Sequence, residues 1–436
     1  MGRGNRPKYD NCFAEGGRVC NQPRYSLTTL SAVSTKGALY RDEAIVLRTQ
    51  KLGEADRIIT MLQGAMAQQR LGNPAALCVD IGPVIDRQAR DTIDCHIETM
   101  RASAHQVFQQ ARQATGATAH GPFVTPTLIE IGHIGELQRE VFGPVLHVVR
   151  YRREELDALI EQINGTGYGL TFGVHTRIDE TIARAVGAIR AGNIYVNRNM
   201  VCAVVGVQPF GGEGLSGTGP KAGGPLYLYR LLAQRPADAM VRALEFAGHT
   251  DSTPMPAVLA ELRNWANSNQ RSALREACDR FAAQSRSNAR CALVGPTGEN
   301  NLYSLHPREA VLNLAELESD RLIQLAATLA VGCQAVWPAE AASLRERLPQ
   351  DVRKRIALAG NWQAPAVSFD AVLYHGPEDG LREVCRVLAQ RPGPIVGVQA
   401  LEPGDATLAL ERLVIERSLS INTAAAGGYA SLMSMA

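Results

Sequence analysis

Apolar residues recur at helical spacing between Ala55 and Arg70, at Ile58, Ile59, Met61, Leu62, Ala65 and Met66. That period predicts an amphipathic helix. Just before it, the apolar run "AIVLRT" at 44–49 predicts a short strand. "NPAALCVDIGPVID" reads as a turn-rich connection, and residues 87–114 predict a second amphipathic helix. Strands and helices then alternate. "FVTPTLIEI" and "VLHVVRY" predict strands, and "REELDALIEQIN" a helix stopped by the glycines of "GTGYGL". "LTFGVHT" predicts a strand, "IDETIARAVGAIR" a helix and "NIYVNR" a strand. Alternation of this kind predicts an α/β domain with a largely parallel sheet.

Residues 1–37 show neither period and mix Gly, Arg, Asn, Pro and Ser, so loop or disorder is expected there. A composition shift at 233–257 marks a candidate linker. Beyond it the βα rhythm returns in "ALVGP", "EAVLNLA", "AVWP", "FDAVLYHG", "GPIVGVQA" and "RLVIERSLSINT". This predicts a second, Rossmann-like α/β domain closed by a small β flap.

Composition narrows the classes. The chain has 436 residues, 45% hydrophobic and 20% charged, with a net charge of +2. That is enough chain for two or three domains with buried cores. The small net charge and the 5% aromatic content give no support for strong nucleic-acid binding. Nine unpatterned cysteines fit reduced thiols in a cytoplasmic protein. No CxxC or HExxH occurs, so no metal is expected. The N-terminus lacks a signal-peptide core. The apolar run "LIQLAATLAVGCQAVW" is shorter than a bilayer span, so no transmembrane segment is expected.

The stretch 197–230, "NRNMVCAVVGVQPFGGEGLSGTGPKAGGPLYLYR", carries the chemistry. Its glycines permit tight turns and close approach to a ligand. Taken alone it is a Gly-rich loop. Together with "GNPAALCVDIGPVID", "ELQREVFGPVLHVVRY", "ALIEQINGTGYGLTFGVHTRIDETIARAVG", "GNIYVNRN" and the closing "ERLVIERSLSINTAAAGGYASLMSMA", it closely resembles the proline utilization A family. The resemblance runs from about Ala55 to Ala436. It implies part of an aldehyde dehydrogenase domain at 55–232, the linker region at 233–257, and the Rossmann-like domain at 258–436 with its flap at 411–436. The family reaction is NAD-dependent oxidation of L-glutamate γ-semialdehyde (pyrroline-5-carboxylate) to L-glutamate, in proline catabolism.

Roles follow from the resemblance. Glu140 and Phe142 in "EVFGPV" would hold the nicotinamide ribose and pack on the nicotinamide. Phe210 in "QPFGG" would wall the aldehyde pocket. Gly212 and Glu213 would offer backbone N–H groups to the substrate carboxylate. Taken alone, Glu140 reads as a helix-end charge and Phe210 as core packing.

The family mechanism needs a cysteine thiolate, an amide oxyanion hole and a glutamate base. The last two and the dinucleotide loop have no counterpart in this sequence. Aligned without gaps, the cysteine position falls on Asp42. Cys20, in "GGRVCNQPR", is a weak stand-in, displaced upstream. Residues 38–62, "ALYRDEAIVLRTQKLGEADRIITML", resemble the first strands of the RecO family, with "EADRIITML" shared between both resemblances. Residues 1–54 are therefore an atypical N-terminal segment, with a RecO-like strand at 38–54.

The expectation is a truncated, inactive fragment that does not itself bind NAD and needs no FAD. The alternatives left open are an active dehydrogenase using Cys20, a RecO-like DNA-binding module and a non-catalytic interaction protein. A small-molecule substrate is implied, and homo-oligomerisation is left open.

Overall fold

The computed structural model describes residues 38–41, 44–49, 54–109, 118, 121–200, 203–246, 248 and 254–423. The chain divides into two compact units, residues 1–156 and 157–436. The stretch 233–257 thus lies inside the second unit.

In the first unit, β1 (Ala38–Arg41) and β2 (Ala44–Thr49) form an antiparallel hairpin. Three further strands are β3 (Gln106–Gln109), β4 (Thr127–Ile131) and β5 (Val145–Arg152). β2 runs parallel to β5, β5 parallel to β4, and β4 antiparallel to β3. The strand that resembles RecO is thus built into an α/β sheet. Leu128 and Ile129, successive on β4, are both buried, so that strand is covered on both faces.

The helix Glu54–Ala67 buries Ala55, Ile59, Leu62 and Met66, a stripe spaced by four, three and four residues. The helix Arg87–Ala102 begins at Asp86, whose carboxylate accepts from the Ala89 N–H at 2.7 Å. It ends twelve residues earlier than the 87–114 pattern predicts. Ala104 takes a left-handed conformation (φ 63°), and the His105 N–H turns back to the Met100 carbonyl at 3.1 Å. The chain then leaves as β3 to pair with β4, so the apolar residues after the turn belong to a sheet.

The second unit carries two main sheets. In one, β7 (Thr171–His175) and β8 (Asn193–Val196) are parallel and joined by the helix Asp179–Ala188. The other strands are β10 (Arg290–Leu293), β11 (Glu299–Pro307) and β17 (Val414–Asn422). β17 lies between β8 and β11, parallel to the first and antiparallel to the second, and β11 continues to β10. The described part of the expected flap is thus an interior strand. A two-stranded ribbon, β6 (Tyr168–Gly169) with β9 (Glu213–Gly214), stands beside this chain path.

The other sheet is wholly parallel, in the order β14-β13-β12-β15-β16. Its strands are β12 (Ala310–Ala315), β13 (Gln334–Pro338), β14 (Ile356–Ala359), β15 (Ala371–His375) and β16 (Gly397–Leu401). Read in chain order this is 3-2-1-4-5, the doubly wound arrangement. The helix Glu318–Val331 is buried all round from Asp320 to Val331. It stops at Gly332, whose φ of 91° a side chain would resist.

Trp337 is fully buried, and its indole N–H donates to the Asn313 side chain at 3.0 Å. The helix Ala239–Phe246, inside the stretch that composition marks as a linker, puts Met240, Ala243 and Leu244 into the same core as Leu259 and Leu262. Full burial of one such leucine stabilises by about 1.5–3 kcal/mol, so this segment is held as core.

Candidate functional site

The loop 209–222 closes on itself. Phe210 and Ala222 exchange both backbone hydrogen bonds at 2.9 Å. Glycine is required where the chain doubles back. A Cβ on Gly212 would stand 2.5 Å from the Ser216 Cβ and 2.7 Å from its carbonyl oxygen. Gly214 has φ 64°, and a Cβ there would run into the Gly167 carbonyl.

Side chains then weld the loop to the sheet. The Ser216 hydroxyl accepts from the Gly169 N–H at 3.0 Å, and Ser418 donates to the Pro209 carbonyl at 2.8 Å. Lys221 is 2% exposed. Its ammonium donates to the Asn193 Oδ1 at 3.1 Å and to the Gly211 carbonyl. Its backbone N–H donates to the Glu416 carboxylate at 2.7 Å, which also accepts from the Tyr303 hydroxyl at 2.7 Å. Burial lowers the Lys221 pKa to about 8, against the attraction of Glu416 and Glu213. Burial also raises the Glu416 carboxyl, against hydrogen bonds from Tyr303 and Lys221.

Gly212 and Glu213 stand on this framework and line a cleft of about 1000 Å³. The Glu213 side chain is buried and ion-paired with Arg417 at 3.0 Å. Phe210 is half-buried in the same loop. The structure thus brings Phe210, Gly212 and Glu213 together in the second unit.

Glu140 and Phe142 lie together in the first unit. Both line a hollow of about 340 Å³ with Asp86, Thr92, His96 and Arg139. The Phe142 ring is 83% exposed. Behind them the ring nitrogens of His96 and buried His147 meet at 2.9 Å. Burial first, and then Arg139, lowers the His96 pKa, which favours its uncharged imidazole near neutral pH.

Cys20 and Asp42 lie outside the described residues. Among the described cysteines, burial pushes the Cys278 and Cys333 thiols up to about 12, so neither is a nucleophile near neutral pH. Among the described residues no group of three or more metal-ligating side chains occurs, and no helix is long and apolar enough to cross a membrane.

Reading the sequence alone missed Lys221, Asn193, Glu416 and Arg417. One signal was present. On β17, Glu416, Ser418 and Ser420 share one face at the strand's two-residue period, and all three are buried. A buried polar face on a strand requires partners elsewhere.

Residues 51–235 match the aldehyde dehydrogenase family. The particular likeness is to the C-terminal region of the bifunctional PutA proteins. The Bifunctional protein PutA of Klebsiella aerogenes is 55% identical over 386 residues, covering 86% of this chain and 29% of that protein. The 1-pyrroline-5-carboxylate dehydrogenase of Bacillus pumilus is 38% identical over 178 residues, covering 40% of this chain and 33% of that protein. The solved structure of proline utilization A from Corynebacterium freiburgense, at 20% identity, covers 86% of this chain and 35% of its own, with a TM-score of 0.59. That last likeness is one of fold. The chain spans under a third of the length of the curated PutA relatives it matches.

Proposed function

We propose that the chain supplies the substrate-anchoring side of an NAD-dependent L-glutamate γ-semialdehyde (pyrroline-5-carboxylate) dehydrogenase, a step of proline catabolism. The observation that carries this reading is the rigid 209–222 loop, glycine-rich where it lines the cleft and fixed from behind by Lys221 and Glu416. Backbone N–H groups at Gly212 and Glu213 take the substrate carboxylate, and the Phe210 ring walls the aldehyde. The Arg417–Glu213 pair supports this, because it neutralises the one carboxylate in the loop that would repel an anionic substrate.

Glu140 and Phe142 take the nicotinamide ribose and the nicotinamide face. An exposed ring beside a carboxylate at the rim of a hollow fits that end of the cofactor. About 340 Å³ lies at the small end for a ligand site, so the hollow suits a part of NAD and not the whole dinucleotide. NAD, when bound, supplies the hydride acceptor. In the same proposal residues 55–232 form the aldehyde dehydrogenase part and 258–436 the C-terminal domain, and the protein acts in the cytoplasm.

The proposal includes a limit. These 436 residues orient substrate and nicotinamide but make no bond, because the family's cysteine position falls on Asp42. A carboxylate is far less nucleophilic toward an aldehyde than a thiolate. Two measurements test the reading. The purified chain is expected to form no NADH from glutamate semialdehyde; turnover that disappears in Cys20→Ala would overturn the limit and make Cys20 the nucleophile. L-glutamate binding, followed by calorimetry, is expected to weaken in Gly212→Ala. Unchanged affinity would overturn the anchoring role.

A further inference from the structure

The cleft beside the 209–222 loop is unusually charged for a chain whose net charge is only +2. Eight cationic side chains and five carboxylates line it. Each carboxylate is already engaged. Glu213 pairs with Arg417, Glu309 with Arg190, and Glu411 with Arg235. Glu416 accepts from Lys221 and Tyr303, and Asp370 accepts the backbone N–H groups of Glu309 and Ala310 at 2.8 and 3.2 Å. Of the five other cations, Lys221 is held by Asn193 and Gly211 and Arg391 donates to the Ala364, Pro365 and Val367 carbonyls; Arg230, Arg308 and Arg412 complete the set, with no ion pair among the described residues.

These three are close neighbours. The Arg308 guanidinium donates from Nε to the Arg412 carbonyl at 2.9 Å. After burial, Arg230 is the next cause lowering the Arg412 pKa, against the attraction of Glu411; burial also lowers Arg308, with Arg230 a smaller cause in the same direction and Asp370 and Glu213 acting against it. Like charges gathered in a concave, partly desolvated wall repel one another, and an arriving anion relieves that repulsion. Guanidinium forks match phosphate oxygens two at a time. None of the three arginines belongs to the 209–222 loop.

We propose that Arg230, Arg308 and Arg412 form a second binding site, for a compact anion with adjacent phosphate groups. The site shares the cleft that Gly212 and Glu213 also line but uses none of the loop's residues, so it does not depend on the substrate-anchoring role of the loop.

The test is calorimetric titration of the full chain with pyrophosphate at low and at high salt. Binding is expected, weaker at high salt. Arg230→Gln and Arg412→Gln, both at exposed positions, are each expected to weaken it by about ten-fold, the loss of one charge-assisted interaction. Arg242→Gln, an exposed arginine paired with Asp238 elsewhere, is expected to change nothing. ADP binding more tightly than pyrophosphate would identify a nucleotide as the natural ligand, and equal binding would identify free diphosphate; either supports the site. No binding at low salt would overturn it. So would equal weakening by Arg242→Gln, which would reduce the effect to general surface charge. Displacement of pyrophosphate by L-glutamate would also overturn it, by making these arginines part of the aldehyde site.

Discussion

The Lys221 ammonium is sunk among the Asn193 side chain, the Gly211 carbonyl and the field of Glu416, whereas the Phe142 ring stands 83% in solvent at the edge of its hollow. The first arrangement spends stability to hold a backbone still. Three ionisable groups are taken out of water to keep a turn of glycines in one shape. The second leaves its ring in solvent at the rim of a hollow. A loop that presents backbone N–H groups must be fixed, because N–H vectors cannot adjust as side chains do. A ring that lies against a flat ligand needs only to be present.

Four measurements sharpen or break this contrast. The largest effect is expected for Glu416→Ala. It strands the Lys221 N–H and the Tyr303 hydroxyl and removes the charge facing a buried ammonium. Breaking a buried charge pair costs about 3–5 kcal/mol. Denaturant unfolding with a loss under about 1 kcal/mol would show that the network is not structural.

Gly212→Ala is next, at about 1–3 kcal/mol, because its Cβ would stand 2.5 Å from that of Ser216. A neutral result by the same method would mean that the turn yields freely.

The third measurement is a pH profile. The folded pKa of Lys221 is about 8, against an ordinary value of 10.5. Between those values the unfolded chain holds the proton more tightly, so stability rises with pH across that window and falls as pH drops back through about 8. Lys221→Met is expected to flatten this segment of the profile. A profile identical in both proteins would remove Lys221 as its source.

The smallest effect is expected for Phe142→Ala, within about 0.5 kcal/mol by thermal or denaturant unfolding. A larger loss would mean that the ring is packed and the contrast is false.

The sequence discloses these two regions unequally. The βα alternation from 145 to 196 was legible because each element carries its own period and each helix meets glycine at or just past its end, at Gly165 and Gly167 and at Gly192. The end of the helix Arg87–Ala102 was not, since nothing in Ala104 advertises a left-handed turn. The strand β11, "ENNLYSLHP", was missed because its polar residues look like a loop. Asn301 and Ser304 are in fact buried, and Asn301 accepts from Gln208 at 2.9 Å. The helix Ala239–Phe246 was hidden in a stretch whose prolines and polar residues read as a linker. In the loop, the glycine string pointed to a close-approach turn, but Lys221 gave no sign of burial. Its partner Glu416 is 195 residues away in sequence, and only the folded sheet brings the two together.

β17 sits in the middle of its sheet, and its Arg417 reaches Glu213 across 204 residues of chain. During synthesis the 209–222 loop must therefore wait for its clasp. At about 5–20 residues per second the wait is roughly 10–40 s, and for about the last 5–20 s of it, once β11 has been made, the facing edges of β8 and β11 have no strand between them. Contacts of such long range also slow folding from the denatured state. The vulnerable moment for this unit is its birth, when two open strand edges are exposed to other nascent chains.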